Sequence, residues 1–321
     1  MRDLAKVSVI TPVYNGAKYL DNFLNLIFHQ TYSNFEWIIV DDGSTDNSKQ
    51  KILDFAKKTA FTNIKYVFQP NAGVSAARNK GLSMADGDFI MFADVDDRPY
   101  DDFIEKYLST VLEQKKDAAI FAINVVETDK IIKKTSGSGL ISSTKIVKKI
   151  LQQSGYGFLF AVIAKRAMWQ DIFLNEDIYF LEDEEVLVRM LPQTSQIYCS
   201  SEVYYDYVSR DDSVVHNLKI EDYENGLAST RLMKASLLAS PFHELIPAAN
   251  ARILGAIIPL IILNWRLGNS GQANHYAKEF VELFPHTEFS SGKEIKRKIQ
   301  YFIFKYRLKK IASVLYKSID F

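Results

Sequence analysis

Cysteine occurs once in 321 residues, at Cys199, which excludes a disulfide scaffold and a cysteine-ligated zinc site and fits a reducing compartment. The 8 prolines and 14 glycines are too few for a fibrous or linker-rich chain. Net charge is zero, 39 Lys and Arg against 39 Asp and Glu, so the whole chain has no cationic excess to attract nucleic acid. Long apolar runs are also missing. Ile253 to Leu263, interrupted only by Gly255 and Pro259, is 11 residues long, too short to span a bilayer, and reads as a buried or interfacial helix. Met1 to Lys6 carries charges but no apolar stretch, so no secretory signal is expected and the chain reads as cytoplasmic.

What is present is 47% hydrophobic and 24% charged, an ordinary globular balance, over a length that suits about two domains. The charge is unevenly spread. Lys293 to Lys317 holds nine basic residues against the single acid Glu294, which leaves 30 basic and 38 acidic residues, a net of −8, in the remainder. An acidic body with a basic, aromatic tail argues against nucleic-acid binding and leaves an anionic membrane surface as a partner for the tail. Within that tail Ile295, Ile299, Phe302 and Tyr306 share one helical face, whereas Phe304, Leu308, Ile311 and Leu315 share another. A packed terminal helix and an interfacial segment are both compatible with that pattern, and we favour the interfacial one.

Through residue 125, short apolar runs alternate with helical periodicity. Val7–Ile10, Trp37–Val40, Tyr66–Phe68, Phe89–Phe92 and Ala119–Ile123 read as strands. Between them Leu20 to Phe28, Ile52 to Ala56, Val74 to Met84 and Phe103 to Leu112 read as helices. The alternation predicts a mostly parallel, Rossmann-like sheet with flanking helices, in which ligands bind at the carboxyl ends of the strands. Further strands are expected at 161–163, 196–199 and 204–208, and a helical region follows residue 220. The division is drawn at 1–219 and 220–321.

Three of those strand ends carry polar clusters: Thr11-Pro12-Val13-Tyr14-Asn15, Asp41-Asp42-Gly43-Ser44-Thr45-Asp46 and Ala93-Asp94-Val95-Asp96-Asp97. Carboxylates placed there do not pack a core, because an unpaired buried charge costs too much. Asp94 and Asp96, two apart on an extended segment, suit a hard divalent cation such as Mg²⁺ or Mn²⁺ shared with substrate phosphates. Alone, such a pair is common in acidic loops, and Asp41-Asp42-Gly43-Ser44 equally suits a turn and helix cap. Asp46 reads as a cap.

Taken in order with Asn71-Ala72-Gly73-Val74-Ser75-Ala76-Ala77-Arg78-Asn79, these motifs resemble the family 2 glycosyltransferases of the GT-A fold over about residues 5 to 215. The resemblance implies a nucleotide-sugar domain transferring a sugar with inversion and a divalent metal, Mn²⁺ or Mg²⁺. By position it places Tyr14 on the nucleobase and Asp42 on the uracil edge, which favours UDP. It places Asp94 on the ribose side and Asp96 on the metal. Pro12, Asn15, Gly73 and Val95 complete the donor set. Arg78 either holds a carboxylate of the site or touches the donor. In Glu182-Asp183-Glu184-Glu185, which by charge alone reads as a solvated helix start, the resemblance makes Asp183 the general base. In Tyr204 to Ser213 the first of two basic positions is Val208, leaving Arg210 for the diphosphate. Arg98 stands where many relatives have Trp. His216 falls where a third metal ligand is often found. The implied activity is hexose or N-acetylhexosamine transfer from a UDP-sugar to a glycan acceptor, lipid-linked or protein-linked, in surface polysaccharide synthesis. The rivals are an idle GT-A scaffold acting as an adaptor, disfavoured by its clustered carboxylates, and a nucleotidyltransferase. A nucleotidyltransferase would need a Gly-rich basic phosphate loop after the first strand, which Thr11 to Gly16 lacks.

Overall fold

The computed structural model describes residues 5–59, 62–127, 130–134, 137–152, 157–210, 218–289 and 294–306. The chain divides into two compact units, one of Met1–Ile146 with Gly155–Arg210 and one of Val147–Ser154 with Asp211–Phe321. A boundary drawn at 219 leaves the short segment 147–154 with the first unit; in space it groups with the second.

The elements of the first unit run β1 (Val7–Val13), α1 (Ala17–Phe28), β2 (Phe35–Asp42), α2 (Ser48–Thr59), β3 (Ile64–Gln69), α3 (Val74–Met84), β4 (Phe89–Phe92), β5 (Arg98–Pro99) and α4 (Phe103–Glu113). They continue with β6 (Ala118–Glu127), β7 (Lys130–Lys134), β8 (Gly139–Ser142), α5 (Ser143–Leu151, crossing the division), β9 (Val162–Lys165), α6 (Glu182–Met190) and β10 (Gln196–Val208). One sheet has the order β3-β2-β1-β4-β9-β6-β10-β5, with β7 on β6 and β8 on β10. Strands β3, β2, β1 and β4 are parallel, as strands joined by helical crossovers must be. The other half is mixed. β6 and β10 are parallel, but β9 runs antiparallel to both β4 and β6. The two runs expected at 196–199 and 204–208 are one strand, β10, with register shifts between Ser200 and Asp206 that absorb the polar residues between them.

All eight residues of β2 are buried, because helices cover both faces of the parallel half. Trp37 packs edge-on against Phe23 of α1 at 5.7 Å and donates from its indole N–H to Thr11 Oγ1 at 2.8 Å. On α3, Gly81 allows close approach to the sheet: a Cβ there would lie 2.3 Å from Ile10 Cγ2.

In the second unit, α7 (Ile220–Leu238), α8 (Ile246–Arg266), α9 (Ser270–Leu283) and α10 (Glu294–Lys305) build a core of Leu254, Ile257, Leu260, Ile261, Phe280 and Phe304. α8 is long and apolar enough to cross a membrane by length and composition, but it is apolar on nearly all sides and mostly buried within its unit. The Ile253 to Leu263 stretch is therefore a core helix.

Candidate functional site

The parallel strands β1, β2 and β4 end at one edge of the sheet, with Val13 opposite Asp41 and Ile10 opposite Phe92. β1 has β2 on one side and β4 on the other; α1 leads from β1 to β2 and α3 leads from β3 back past β1 to β4, so the strand order reverses here and a crevice opens at the carboxyl ends. A cleft of ≈ 340 Å³ lies there, lined by Pro12, Tyr14, Asp42, Gly73, Arg78, Asp94, Val95 and Asp96, together with Val13, Asn71 and Val74. Seven of the residues expected to hold the donor, and Asp96, expected at the metal, thus line one cleft. A larger cleft, ≈ 690 Å³, runs along the opposite end of β4 past Asp88, Phe89 and Lys165 and has no cluster of acids.

Tyr14, part of the cleft lining, is 56% exposed. The next residue, Asn15, adopts φ +50° and stands behind the wall, where it joins two loops. Its Oδ1 accepts from Thr45 N at 2.8 Å and its own N–H donates to Ser44 Oγ at 2.9 Å. Asp42 holds the turn that leads into α3: Oδ1 accepts from Gln69 Nε2 (2.7 Å) and Ala72 N (2.9 Å), and Oδ2 from Gly73 N (2.8 Å). A carboxylate has about four acceptor sites, and these bonds use three of them. Gly43 makes this junction possible, with φ +77° and Asn71 N only 2.6 Å from where a Cβ would stand. Asp46 caps both α2, through Ser48 N (2.9 Å), and α1, through Ala17 N (3.0 Å).

The sharpest electrostatic feature is Arg78. Its buried guanidinium donates from Nη1 to Glu182 Oε1 and Asp183 Oδ1, both at 2.9 Å, and from Nη2 to Asp94 Oδ1 at 3.2 Å. Three neighbouring carboxylates favour its charge, hold its pKa above the ordinary value and outweigh the burial that opposes it. Asp183 stands at the start of α6, with Oδ2 accepting from Leu159 N at 3.1 Å. Burial pushes its pKa up to about 7; Arg78 pulls it down, while Glu182 and Asp94 raise it further. The residue before the pair, Leu181, is held at φ +65°, a conformation costly for a branched side chain.

Ser75, Arg78 and Asn79 recur at the spacing of one helical face of α3 and together grip the segment that carries Asp183. Ser75 Oγ donates to Ile178 O (2.9 Å), and Asn79 exchanges two hydrogen bonds with the Leu174 backbone (2.8 and 2.9 Å). Tyr205 and Asp97 are the residues that reading of the motifs missed. The buried Tyr205 hydroxyl accepts from Asp94 N (3.0 Å) and donates to Asp97 Oδ2 (2.9 Å), and Asp97 Oδ1 accepts from Val208 N (2.9 Å). The acidic loop after β4 is thus pinned to β10. Burial and the charges of Asp94 and Asp96 hold the Asp97 carboxyl well above the usual range. Its place in the Asp94 to Asp97 run was the only signal.

Arg210 is held against the acidic loop after β4. Its Nη1 donates to Asp96 Oδ2 at 2.6 Å, Nη2 bonds the Asp96 carbonyl, and the guanidinium lies 4.4 Å from the Tyr19 ring centroid. His216 lies outside the described residues. Among the described residues no three Asp, Glu, His or Cys side chains come together as a metal cage. The donor set nonetheless suits Mg²⁺ or Mn²⁺. Asp96, its carboxylate 41% exposed and already attracting a cation, and Asp94 are hard oxygen ligands on the cleft wall, the pattern used when diphosphate oxygens complete the shell.

A sequence profile described as "Glycosyl transferase family 2" matches residues 8–173. The chain is 30% identical over 206 residues to "Glycosyltransferase GlyA" of Streptococcus pneumoniae, covering 57% of this chain but 29% of that protein. It is 27% identical over 236 residues, 72% of this chain and 74% of the other, to "GalNAc(5)-diNAcBac-PP-undecaprenol beta-1,3-glucosyltransferase" of Campylobacter jejuni. Among solved structures, S. aureus TarS 1-349 in complex with UDP-GlcNAc superposes with a TM-score of 0.71 at 18% identity, covering 95% of this chain and 90% of that one. At that identity the likeness shows a shared fold.

Proposed function

Because this chain belongs to glycosyl transferase family 2, we propose that it moves a hexose or N-acetylhexosamine from a UDP-sugar to a glycan acceptor, with inversion, in surface polysaccharide or glycoconjugate synthesis. The acceptor is a growing glycan on a lipid carrier at the inner face of the cell membrane. The UDP-GlcNAc carried by TarS and the undecaprenol-linked acceptor in the name of the Campylobacter relative support the two substrate classes.

The observation that carries this reading is the Arg78 fork, which joins an acid of the donor cleft, Asp94, to Asp183, a carboxylate that burial pushes up to about 7. The uracil stacks on the exposed Tyr14 ring, an interaction worth about 1–3 kcal/mol. Asp42 takes a uracil N–H. Asp94 and Asp96 would hold Mn²⁺ or Mg²⁺ against the diphosphate, where an ion would supply positive charge to the leaving group. Arg210, already at Asp96, adds a second cation there. Asp183 accepts the proton of the acceptor hydroxyl. The hydroxyl oxygen bonds to the anomeric carbon from the face opposite the phosphate, and the carbon–oxygen bond electrons leave with UDP. A panel of UDP-sugars incubated with and without Mn²⁺ tests the reading through its product. UDP release supports it, release of sugar 1-phosphate with transfer of UMP indicates a nucleotidyltransferase, and release of neither from any donor indicates an idle scaffold.

A further inference from the structure

Helix α10 has two apolar sides, and only one is used by the core. Ile303 and Phe304 are buried against Phe280 and Trp265, with the Phe304 ring edge-on to Phe280 at 4.9 Å. On the outside, Ile299, Phe302 and Tyr306 are 51%, 55% and 60% exposed, and the Phe302 and Tyr306 rings lie parallel at 6.3 Å. At 3.6 residues per turn these three project within about 60° of one another. Lys298 and Lys305 follow on one flank of the stripe and Lys296 on the other, all exposed. A soluble helix normally turns such a surface inward, and this one already has its inward face filled.

We propose that this outer stripe of α10 docks the chain on a membrane surface rich in anionic phospholipid, the apolar side chains entering the acyl boundary and the flanking lysines meeting the headgroups. Charge selects this occupant. The sequence from Lys293 to Lys317 carries nine basic residues and one acid, a complement to anionic lipid and a poor surface for self-association. Long lysine side chains beside an apolar stripe keep their ammonium groups at the polar boundary while their stems lie along it. The inference deepens the reading of a lipid-carried acceptor but stands on this surface alone, since vesicle binding needs neither donor nor turnover.

The experiment is co-sedimentation of the full chain with phosphatidylcholine vesicles, with and without phosphatidylglycerol, at low and high salt. The wild-type chain is expected to bind the anionic vesicles at least tenfold more tightly than the neutral ones, and salt is expected to weaken that binding. Ile299→Ser with Phe302→Ser is expected to lower binding at least tenfold, and Lys296→Gln with Lys298→Gln to lower it selectively on anionic vesicles. Because these side chains lie outside the core, circular dichroism and melting temperature are expected to match the parent, and UDP affinity by calorimetry reports separately on the donor cleft. Absence of wild-type binding to anionic vesicles, or full binding by the serine variant, overturns the proposal. So does a concentration-dependent dimer that the serine variant abolishes while vesicle binding persists.

Discussion

At Arg78 one guanidinium faces three carboxylates, and that imbalance sets the chemistry of the site. Two negative charges remain uncompensated, so one acid is drawn toward protonation. Burial and its neighbours make Asp183 that acid, pushed up to about 7. A base must be ionised to act, so kcat/KM for transfer is predicted to rise with pH and level off above about 7, read from initial rates of UDP release. Replacing Arg78 with Lys removes the fork that touches both Glu182 and Asp183 while keeping a cation. The acid limb is predicted to move up by about one unit, about a tenfold loss at pH 6, with a smaller loss at pH 9. A uniform loss at all pH values would mean that Arg78 acts through the fold alone.

Among the elements, α3 does the most to bring the site together. The turn that leads into it is held by Asp42, its outer face grips residues 174–183, and its inner face meets β1 at Gly81. Gly81→Ala is predicted to cost about 1–3 kcal/mol, measured as a lower melting temperature, because the added methyl group collides with Ile10. Ile10→Ala removes the colliding Cγ2, so in the double variant the two losses are predicted to be less than additive. The Asn71 to Asn79 string was legible as a motif, and its helix was legible from spacing. That Ser75, Arg78 and Asn79 clamp a segment about a hundred positions later was not, because periodicity records which face a residue occupies and not what packs on it. The two runs in β10 were read apart for a related reason: Ser200 to Glu202 interrupt the apolar pattern, and only pairing with β6 shows that the strand continues through them.

On the scale of the whole molecule, opposite charge arrangements sit at the two ends of the sheet. Away from the cleft, Glu36 accepts from Ser8 Oγ (2.5 Å) and Asp86 N (2.9 Å) and pairs with Lys6 (3.3 Å) and Lys65. Burial would raise its pKa, but the hydrogen bonds from Lys65, Ser8 and Asp86 prevail and lower it to about 2. A carboxyl with a depressed folded pKa stabilises fully above its ordinary value, near 4.5, and loses that contribution as pH falls toward 2. Glu36→Gln is therefore predicted to cost about 1–3 kcal/mol at pH 7 and almost nothing near pH 2, by chemical denaturation at both pH values. At the cleft the sign reverses. Asp183, raised to about 7, costs stability as pH climbs from about 4 to 7. The sheet, its ligand-binding edge and the helical second unit were legible in the sequence, because each rests on local periodicity. Asp97, Tyr205 and the Arg78 fork were not, because each joins residues far apart along the chain. The central claim is that the donor cleft and Asp183 form one reacting centre. Measuring UDP affinity by calorimetry and UDP-sugar turnover side by side in Asp183→Asn tests it most directly. The account predicts UDP affinity within about threefold of the parent and turnover reduced about 10²–10⁴-fold; unchanged turnover would contradict it.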